Sequence, residues 1–414
     1  MKPSILMVPF HYPPMGGSSG VQRSLFFSSA LEDYDWQVLV LTAHSRVHPI
    51  TSNEGLKDIP ATTIVKRTWA IDVARHLPFG GRFPRILALP DRWSSWVLSA
   101  VLSGKKLIKK YRSSVIWTTY PIASSHLIGF CLHKLTGVSW IADFRDPMTE
   151  EDYPRNPTVF KCYRWLERKV MEHTAYVVVT TPGVKRVYTE RYGEECGRKI
   201  RIIQNGFDES KFSKAESEIK DKENQHESNQ LLRMIHSGVI YPEERNPETL
   251  FSALSELKSE NILNSKNFRL ELRSAGHDDL YEQMLAKYAL QDIVSLLPSI
   301  PHQENIEDML SADALLLLQG NTCNEQIPAK AYEYIRSGKP VIALTDKKGD
   351  TGQLLTQLGI GTIAALESKD EIKQALANIR EICSQFCPLD AQKIQSFSRQ
   401  HQSKELAELL DTLN

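Results

Sequence analysis

Short apolar runs alternate with segments of helical periodicity through the first half of the chain. The segments between the runs, such as GVQRSLFFSSALEDY, carry apolar residues three and four positions apart, which is typical of helices that cover a sheet. This alternation predicts an α/β fold with a doubly wound, mostly parallel sheet. The predicted strands are residues 4–10, 36–43, 114–119, 139–144, 175–181 and 199–206.

A charged, Ser-rich segment, residues 209–230, interrupts this pattern and is nearly free of aromatic residues. Such a composition favours a linker or an exposed loop. Alternation then resumes, with predicted strands at 231–238, 268–276, 293–300, 312–318 and 340–344. The sequence therefore predicts a first domain over 1–208, a linker over 209–230, a second α/β domain over 231–390, and a C-terminal helix over 391–414 that packs back across the domain junction.

Composition narrows the class of protein. Lys plus Arg number 50 and Asp plus Glu number 50, so no global charge favours nucleic acid. Six cysteines lie apart without a Cys-x-x-Cys pair, which argues against a zinc site and a disulfide framework. No apolar run reaches the roughly 20 residues of a membrane span, and the N-terminus has no signal-peptide pattern. We expect a soluble cytoplasmic enzyme or binding protein.

The most informative stretch is NEQIPAKAYEYIRSGKPVIAL, which begins at Asn324. Pro328 suits the start of a short helix and Gly338 suits the residue after its end. Glu325 would then lie at the carboxyl end of a strand, where ligands bind in such sheets, and Glu333 within the helix. The helix N-terminus suits a phosphate, and carboxylates there suit sugar or ribose hydroxyls. The alternative is that Glu325 is a loop charge and Glu333 a solvated helix residue.

Two loops of the first domain carry further candidates. Gly16 and Gly17 stand between the first strand and the first helix, where they would let a ligand approach the backbone; alternatively they form a flexible loop. Their spacing does not match the G-x-G-x-x-G dinucleotide motif. The next predicted candidates, Arg145 and Asp146, follow the strand at 139–144. An internal Arg–Asp ion pair is the alternative for this DFRD stretch, and its spacing does not fit a metal-binding DxD motif.

Four more positions are candidates because of where they lie in the predicted strands, loops and helices. Gly238 ends the first strand of the second domain, and Arg245 follows it at a helix start, where a guanidinium can hold a diphosphate bidentately. A salt bridge from Arg245 to Glu243 or Glu244 is the alternative. Gly276 belongs to another loop at the same edge. In the first domain, His126 is either a site residue or a packed histidine.

With these residues in place, the chain resembles the retaining glycosyltransferases of the group 1, or family 4-like, superfamily. The resemblance rests on Glu325 and Glu333 within the stretch quoted above, on NGFD from Asn205, and on the YPP and GG of the first turn. The WIADFRDP stretch resembles the branch that works on bacterial surface polysaccharides. The resemblance implies the GT-B fold, with two Rossmann-like domains that face each other across a cleft.

The resemblance also implies roles. The second domain would bind a nucleoside-diphosphate sugar, a UDP- or GDP-sugar, with Glu333 on the ribose and Glu325 on the transferred sugar, while the first domain would bind the acceptor. Family members usually have an arginine directly after the glycine at position 238 and a lysine six residues later. Here those positions hold Val239 and Arg245. Charge on the diphosphate would then be neutralised by Arg245, by helix amides near Pro328 and by Lys330, with no metal and no cofactor.

The expected reaction is transfer of a sugar to an acceptor hydroxyl with retention at the anomeric carbon. The leaving phosphate can accept the proton of the acceptor, so Asp146, Arg145 or His126 would only orient the sugar. The expected acceptor is a lipid-linked or free saccharide. Two alternatives stay open: a sugar-nucleotide 2-epimerase of the same fold, and a non-catalytic protein that keeps the fold.

Residues 61–112 carry eleven basic and two acidic residues, a net charge of +9 in a neutral chain. Aromatic and aliphatic residues are interleaved with them. This mixture predicts peripheral binding to an anionic membrane surface on the inner face of the cell membrane. The alternative is that the apolar residues belong to the core and the charges form a solvated face. The apolar residues are Trp69, Phe79, Phe83, Trp93, Trp96, Leu98 and Leu102.

Overall fold

The computed structural model describes residues 2–16, 19–77, 85–151, 153–222 and 231–414. The chain divides into two compact units. The first comprises Met1–Asn205 together with Arg399–Asn414, and the second comprises Gly206–Ser398. The second unit is thus an insertion near the end of the first.

The first unit is built on a parallel sheet whose strands β1 to β7 stand in the order β3-β2-β1-β4-β5-β6-β7. All five residues of β1 are buried, because helices cover both faces of the sheet. Its side chains alternate between two apolar layers: Leu6 and Val8 pack on one face, Ile5 and Met7 on the other. The strands are Ser4–Val8, Gln37–Ala43, Ile64–Thr68, Val115–Thr119, Ser139–Arg145, Tyr176–Val179 and Ile200–Ile202.

Helices from the N-terminal part of the chain and the C-terminal helix cover this sheet. One face is covered by α3 and α4, and the opposite face by α1 and the C-terminal helix α17, which contact each other. Trp36 Nε1 donates a hydrogen bond of 3.1 Å to Asp411 of α17. The helices of this unit are Ser19–Ala30 (α1), Val73–His76 (α2), Trp96–Tyr111 (α3), Ala123–Thr136 (α4), Pro157–His173 (α5), Pro182–Tyr192 (α6), Glu194–Gly197 (α7) and Arg399–Asp411 (α17).

The second unit has a parallel sheet of strands β8 to β13 in the order β10-β9-β8-β11-β12-β13. These strands are Leu232–Ser237, Phe268–Arg273, Val294–Leu297, Ala314–Leu318, Val341–Leu344 and Gly361–Ala364. Its helices are Glu209–Lys222 (α8), Glu248–Ser259 (α9), Asp278–Lys287 (α10), His302–Ser311 (α11), Ala329–Ser337 (α12), Asp350–Leu358 (α13), Lys369–Ala377 (α14), Ile379–Gln385 (α15) and Ala391–Gln395 (α16). Within the described ranges of the chain, no helix is both long enough and apolar enough to span a bilayer.

The predicted fold class, two α/β units with parallel, doubly wound sheets, is confirmed. Two strands were not predicted, β3 and β13, and each lies at one end of its sheet. An edge strand has only one neighbour, so it tolerates exposed polar residues such as Lys66 and lacks the long apolar run that marks a central strand.

The segment predicted as a linker needs a correction, because its first part is the helix α8 of the second unit. Phe212 and Ala215 are buried on one side of α8, at a spacing of three. Arg336 of α12 donates hydrogen bonds of 2.7 Å to Glu209 and to Glu216. The charges of α8 are therefore partly ion-pair partners of α12, and composition alone does not reveal this. Residues 223–230 lie outside the described part of the chain.

Candidate functional site

The loop after β8 turns sharply at Gly238 and brings the backbone next to Lys330 of α12. Gly238 has a φ of 116°, a conformation that side chains rarely adopt. A Cβ atom at this position would lie 2.9 Å from Nζ of Lys330. The glycine therefore gives the lysine of the first helical turn access to the carboxyl end of β8.

Arg245 lies at the same sheet edge as Lys330. Its Nη1 donates a bond of 3.3 Å to the carbonyl of Leu318, the last residue of β11. Its Nε is buried and has no hydrogen-bond partner among the described residues. The predicted alternative, an ion pair with Glu244, is present at 3.6 Å but involves a half-exposed carboxylate. Arg245 thus keeps hydrogen-bonding capacity for a ligand.

The two cations act on each other. Burial, and after it the charge of Arg245, lowers the pKa of Lys330 from 10.5 to about 7, against a smaller opposite effect of Glu333. Two like charges at a partly buried point are unfavourable unless an anion joins them. The N-terminus of α12, whose N-cap residue is Pro328, adds partial positive charge. This arrangement suits an anion such as a diphosphate.

His236, which was not among the residues selected from the sequence, contacts Lys330 from strand β8. Its ring is buried in the sheet, and burial together with Lys330 lowers its pKa well below the usual value. Nδ1 lies 2.9 Å from the carbonyl of Leu316 and Nε2 lies 3.4 Å from Nζ of Lys330. Nε2 also lies 3.1 Å from the carbonyl of Gly238, and a neutral ring, which has one N–H, donates to only one of the two carbonyls.

The loop that carries Glu325 is fixed from two sides. The side chain of Gln319 donates hydrogen bonds of 2.7 and 2.9 Å to the carbonyls of Cys323 and Gln326, which flank the glutamate. Gly320 packs against the backbone of Glu244 so closely that an added Cβ would lie 1.8 Å from its carbonyl oxygen. Only glycine fits there, and this contact holds the loop of Glu325 against the loop of Arg245.

Glu333 lies one turn after Lys330 on α12 and is half-buried. Its Oε1 is 2.9 Å from Nε2 of His302, the first residue of α11. Because a carboxylate only accepts, Nε2 carries the proton of this bond. His302 was not among the residues selected from the sequence. The residue follows a strand at the same sheet edge, which is the signal that would have found it.

The other predicted residues of this unit surround the same edge. Gly276 follows β9 with a φ of 65°, and a Cβ there would touch Val239 at 3.4 Å. Val239 is exposed. Helix α12 begins and ends as predicted, with Pro328 as its N-cap and Gly338 in the left-handed conformation after its last residue.

A second cluster lies in the first unit, at the carboxyl ends of β1 and β5. Arg145 ends β5 with a φ of 64°, next to a register shift in the sheet, and Asp146 follows it. A Cβ on Gly20, near the start of α1, would lie 2.7 Å from Nη1 of Arg145 and 2.6 Å from Nδ1 of His11. The structure therefore brings His11 to Arg145. Sequence analysis missed His11, although it follows β1 at this edge.

Burial shifts the pKa values of His11 and Asp146 in the directions that favour their neutral forms. Burial, then the charge of Arg145, lowers the pKa of His11 to about 4. Burial raises the pKa of Asp146, and Arg145 opposes that shift. A buried cation, a neutral imidazole and a carboxylate at one point can bind polar groups of a ligand. Arg145 also has a left-handed backbone conformation, which costs about 1–3 kcal/mol and which six other non-glycine residues of the described chain share.

Asp143 has a structural role. Arg23 of α1 forms a bidentate pair with it, with both distances at 3.0 Å, and Thr119 donates a third hydrogen bond to it at 3.0 Å. Asp143 therefore pairs with Arg23 of α1, and not with Arg145 within the DFRD stretch as the alternative expected. Arg145 is left for other contacts.

His126 lies in the core of the first unit, fully buried on α4. Nδ1 is 2.8 Å from the hydroxyl of Thr118, and burial lowers the pKa of the ring to about 3. This geometry favours the alternative of a packed histidine. Gly16 donates its N–H to the carbonyl of Ile50 at 3.1 Å. Gly17 lies outside the described residues, so its predicted role stays a prediction.

In the described ranges, no group of three or more His, Cys, Asp and Glu side chains is arranged to hold a metal ion. The need for a metal is therefore left to experiment.

Comparison with known proteins identifies the first part of the chain. Residues 23–206 match the family described as glycosyl transferase 4-like domain. A search of curated proteins found no match.

Several solved structures share the fold over nearly the whole chain. Sucrose-phosphate synthase from Thermosynechococcus elongatus superposes with a TM-score of 0.69 at 16% identity, covering 99% of both chains. Anabaena HepE in complex with UDP gives a TM-score of 0.65 at 14% identity, covering 99% of this chain and 100% of that one. The lipopolysaccharide outer core galactosyltransferase WaaB, in its apo form, gives 0.62 at 11% identity with 99% of both chains covered.

The same fold also occurs in a UDP-N-acetylglucosamine 2-epimerase, with a TM-score of 0.54 at 12% identity over 99% of this chain and 96% of that one. HepE has also been solved with UDP-glucose. Fold similarity at such low identity describes architecture only. Residues 23–206 match the glycosyl transferase 4-like domain, and the chain shares its two-domain α/β fold with the solved structures named above.

Proposed function

We propose that this protein is a glycosyltransferase that moves a hexose from a nucleoside-diphosphate sugar to an acceptor hydroxyl, with retention and without a metal ion. The observation that carries the proposal is the pair of partly buried cations, Arg245 and Lys330, next to the N-terminus of α12. Arg245 keeps an unpaired N–H, and the charge on Lys330 is suppressed by its surroundings. A diphosphate would accept hydrogen bonds from both and restore the lysine charge.

The roles of the surrounding residues follow from where charge develops in the reaction. As the sugar leaves, negative charge grows on the diphosphate, and Arg245, Lys330 and the amides after Pro328 stabilise it. Glu333 accepts from the ribose hydroxyls, and His302 holds its carboxylate in place. Glu325, in the loop fixed by Gln319 and Gly320, accepts from hydroxyls of the transferred sugar. The leaving phosphate takes the proton of the acceptor.

The donor is proposed to be a UDP- or GDP-sugar. HepE, which shares the fold, was solved with UDP and with UDP-glucose. The first unit is proposed as the acceptor domain, with Arg145, Asp146 and His11 orienting a saccharide. The proposed role is in cell-surface polysaccharide synthesis, on the cytoplasmic side, with a lipid-linked or free saccharide as the acceptor. The WIADFRDP stretch supports this role.

The experiment that tests the proposal measures UDP and GDP binding by calorimetry, with the wild type and with Lys330→Met and Arg245→Met. Each variant loses charge-assisted hydrogen bonds worth about 1.5–3 kcal/mol, so each should weaken binding roughly 10- to 150-fold. Lys348→Met, an exposed lysine of the same unit, is the matched control. Equal affinity in all four proteins would refute the diphosphate site.

Incubation with donor alone separates transfer from epimerisation. A glycosyltransferase leaves the nucleotide sugar unchanged or hydrolyses it slowly, and turns over only when a saccharide acceptor is added. A 2-epimerase converts the donor without an acceptor. Binding without turnover on any acceptor would favour a non-catalytic protein. Complete loss of transfer in EDTA, restored by magnesium or manganese, would contradict the proposed metal independence.

A further inference from the structure

Helix α3, on the outside of the first unit, exposes a line of side chains whose polarity changes along the helix. Leu98 is 72% exposed and Leu102 is 59% exposed. Exposed Lys105, Lys109 and Arg112 continue the line, because these residues follow one another at spacings of three and four. Helix α3 contains no acidic residue. The line is therefore apolar at its N-terminal end and cationic at its C-terminal end.

Two neighbouring segments extend the apolar end. The hydroxyl of Ser94 donates to the carbonyl of Leu87, and the hydroxyl of Ser99 donates to the carbonyl of Trp69, so both segments lie against the start of α3. Trp69 is 53% exposed, and the side chains of Ile86 and Leu87 are 76% and 48% exposed. Five large apolar side chains thus stand in solvent around one helix end. A concentration of this kind marks an interaction surface on a soluble protein.

The apolar residues predicted to bind a membrane differ in their exposure. Trp96 is fully buried, and Trp93 is half-buried and packs on the core, as the alternative of core residues expected. Phe79 and Phe83 lie outside the described residues. Trp69, Leu98 and Leu102 are exposed, so they are available for a partner.

We propose that these residues form a docking surface for an anionic lipid bilayer, here called the α3 surface: Trp69, Ile86, Leu87, Leu98, Leu102, Lys105, Lys109 and Arg112. Leucine, isoleucine and tryptophan side chains partition into the boundary between head groups and acyl chains. Lysine and arginine beside them attract anionic head groups and are screened by salt. The aliphatic side chains match the acyl chains of a bilayer, and the cationic end requires an anionic partner. A bilayer with anionic lipid supplies both chemistries at once.

This inference deepens the proposed function, because a lipid-carried acceptor would be presented at such a bilayer to the unit proposed to bind it. It concerns only the first unit, whereas the diphosphate site lies in the second. A failure of one therefore leaves the other testable.

The test is cosedimentation of the full chain with vesicles of phosphatidylcholine alone and of phosphatidylcholine with phosphatidylglycerol, at low and high salt. We expect binding only to the anionic vesicles at low salt, and release at high salt. The Lys105→Gln and Lys109→Gln double variant should bind about 30-fold more weakly, since each basic residue near the surface contributes about 1 kcal/mol and 1.4 kcal/mol is tenfold.

The apolar half of the surface is tested separately. The Leu98→Gln and Leu102→Gln double variant keeps every charge, and both side chains already stand in water, so it should fold normally. We expect it to lose vesicle binding as well. A Lys348→Gln and Lys393→Gln variant changes exposed lysines of the second unit by the same total charge and should bind like the wild type.

Three outcomes would overturn the proposal. The wild type could stay in the supernatant with anionic vesicles at low salt. The leucine variant could bind as well as the wild type, which would reduce the effect to unspecific charge attraction. The leucine variant could abolish a dimer seen by light scattering without any vesicle binding, which would make the α3 surface a protein interface. UDP affinity, measured in each variant, stays at the wild-type value if the donor site is as proposed.

Discussion

Lys330 is the side chain whose charge depends most on a ligand at the proposed donor site. In the free protein its pKa is about 7, because burial and then Arg245 disfavour the ammonium form. A bound diphosphate favours that form and moves the pKa back up towards 10.5. Between these two values the complex carries more protons than the free protein, so binding takes up protons and weakens as the pH rises above 7.

The first prediction is therefore that UDP binding near pH 8 takes up a fraction of a proton, seen as a dependence of the calorimetric enthalpy on the ionisation enthalpy of the buffer. Affinity should fall from pH 7 to pH 9. Lys330→Met should remove the proton uptake, while Lys348→Met keeps it. Uptake of the same size in Lys330→Met would show that another group titrates.

The second prediction concerns Glu333 and its partner. Glu333→Ala removes hydrogen bonds of about 1.5–3 kcal/mol from the ribose, so the donor KM should rise roughly 10- to 150-fold with a smaller change in kcat. Glu325→Ala should instead lower kcat, since its proposed contact is with the transferred sugar. Wild-type kinetics in both variants would make the glutamates ordinary surface charges.

His302 is expected to act only through Glu333. His302→Ala should raise the donor KM less than Glu333→Ala does, and His302→Gln, which keeps an N–H donor, should recover part of the loss. Because both substitutions act through the contact between His302 and Glu333, the double variant His302→Ala with Glu333→Ala should have the same donor KM as Glu333→Ala alone. Additive losses would mean that His302 contacts the donor independently.

The sequence predicted those site residues whose position next to a strand or on the following helix can be read from the chain itself. Glu325 and Arg245 were selected because each follows a strand, and Glu333 because it lies on the helix after Glu325. Lys330 was implied by the family resemblance. The structure places the segments that carry these four residues at one sheet edge. His302, His236 and Gln319 were missed because their importance depends on contacts between distant segments. The same reason hid the partner of Asp143, since Arg23 lies 120 positions away.

Helix α12 carries the proposed ribose and phosphate contacts, and α8 holds it from outside. Arg336 lies between the carboxylates of Glu209 and Glu216 and over the ring of Phe212. The helix that carries the donor contacts thus depends on a segment whose composition indicated a linker.

The third prediction is that Arg336→Met lowers the free energy of unfolding by about 1–2 kcal/mol at neutral pH, a value reduced because the carboxylates are partly exposed. Hydrogen bonds from Arg336 lower the pKa of Glu209 below its ordinary 4.5. A lowered carboxylate pKa stabilises the fold above pH 4.5, and this stabilisation is lost as the pH falls through the lowered value. The difference between variant and wild type should therefore shrink below pH 4.5.

Denaturant unfolding at several pH values measures this effect. Lys287→Met, which breaks an exposed pair with Glu248, serves as the control and should change the free energy of unfolding far less than Arg336→Met does. A constant difference across pH would assign the effect of Arg336 to its packing on Phe212.

The sequence predicted buried strands and helices more readily than partly exposed ones. Central strands such as β4 and β11 are buried at every position, so an apolar run marks them in the sequence. The edge strands β3 and β13 are half-exposed and lack such runs. Helix α8 was missed for the related reason that only one narrow side of it is apolar.

At the scale of the whole molecule, the first unit is completed by the last residues of the chain. Leu406 and Leu410 of α17 are fully buried in the cluster that contains Phe27, Leu31 and Trp36. The sequence predicted a C-terminal helix, but the unit on which it packs cannot be read from periodicity. The division into acceptor and donor domains remains a prediction.

The fourth prediction is that Leu410→Ala lowers the stability of the first unit by about 2–5 kcal/mol, as expected for a large buried side chain. Differential scanning calorimetry should show a lower Tm for one transition, while the affinity for UDP is unchanged. Glu408→Ala, on the exposed side of α17, is the control. Alanine is the best helix former, so helix propensity cannot lower the Tm of either variant. An equal loss in Glu408→Ala would contradict the packing explanation.

The insertion of the second unit into the first also orders events on the ribosome. Residues 206–398 are translated after most of the first unit and before α17. At synthesis rates of roughly 5–20 residues per second, that insertion takes about 10–40 s to synthesise. Throughout this interval the apolar cluster around Phe27, Leu31 and Trp36 lacks the cover that α17 provides. The nascent first unit therefore exposes an apolar surface that a chaperone can bind until α17 has been synthesised and has packed on it.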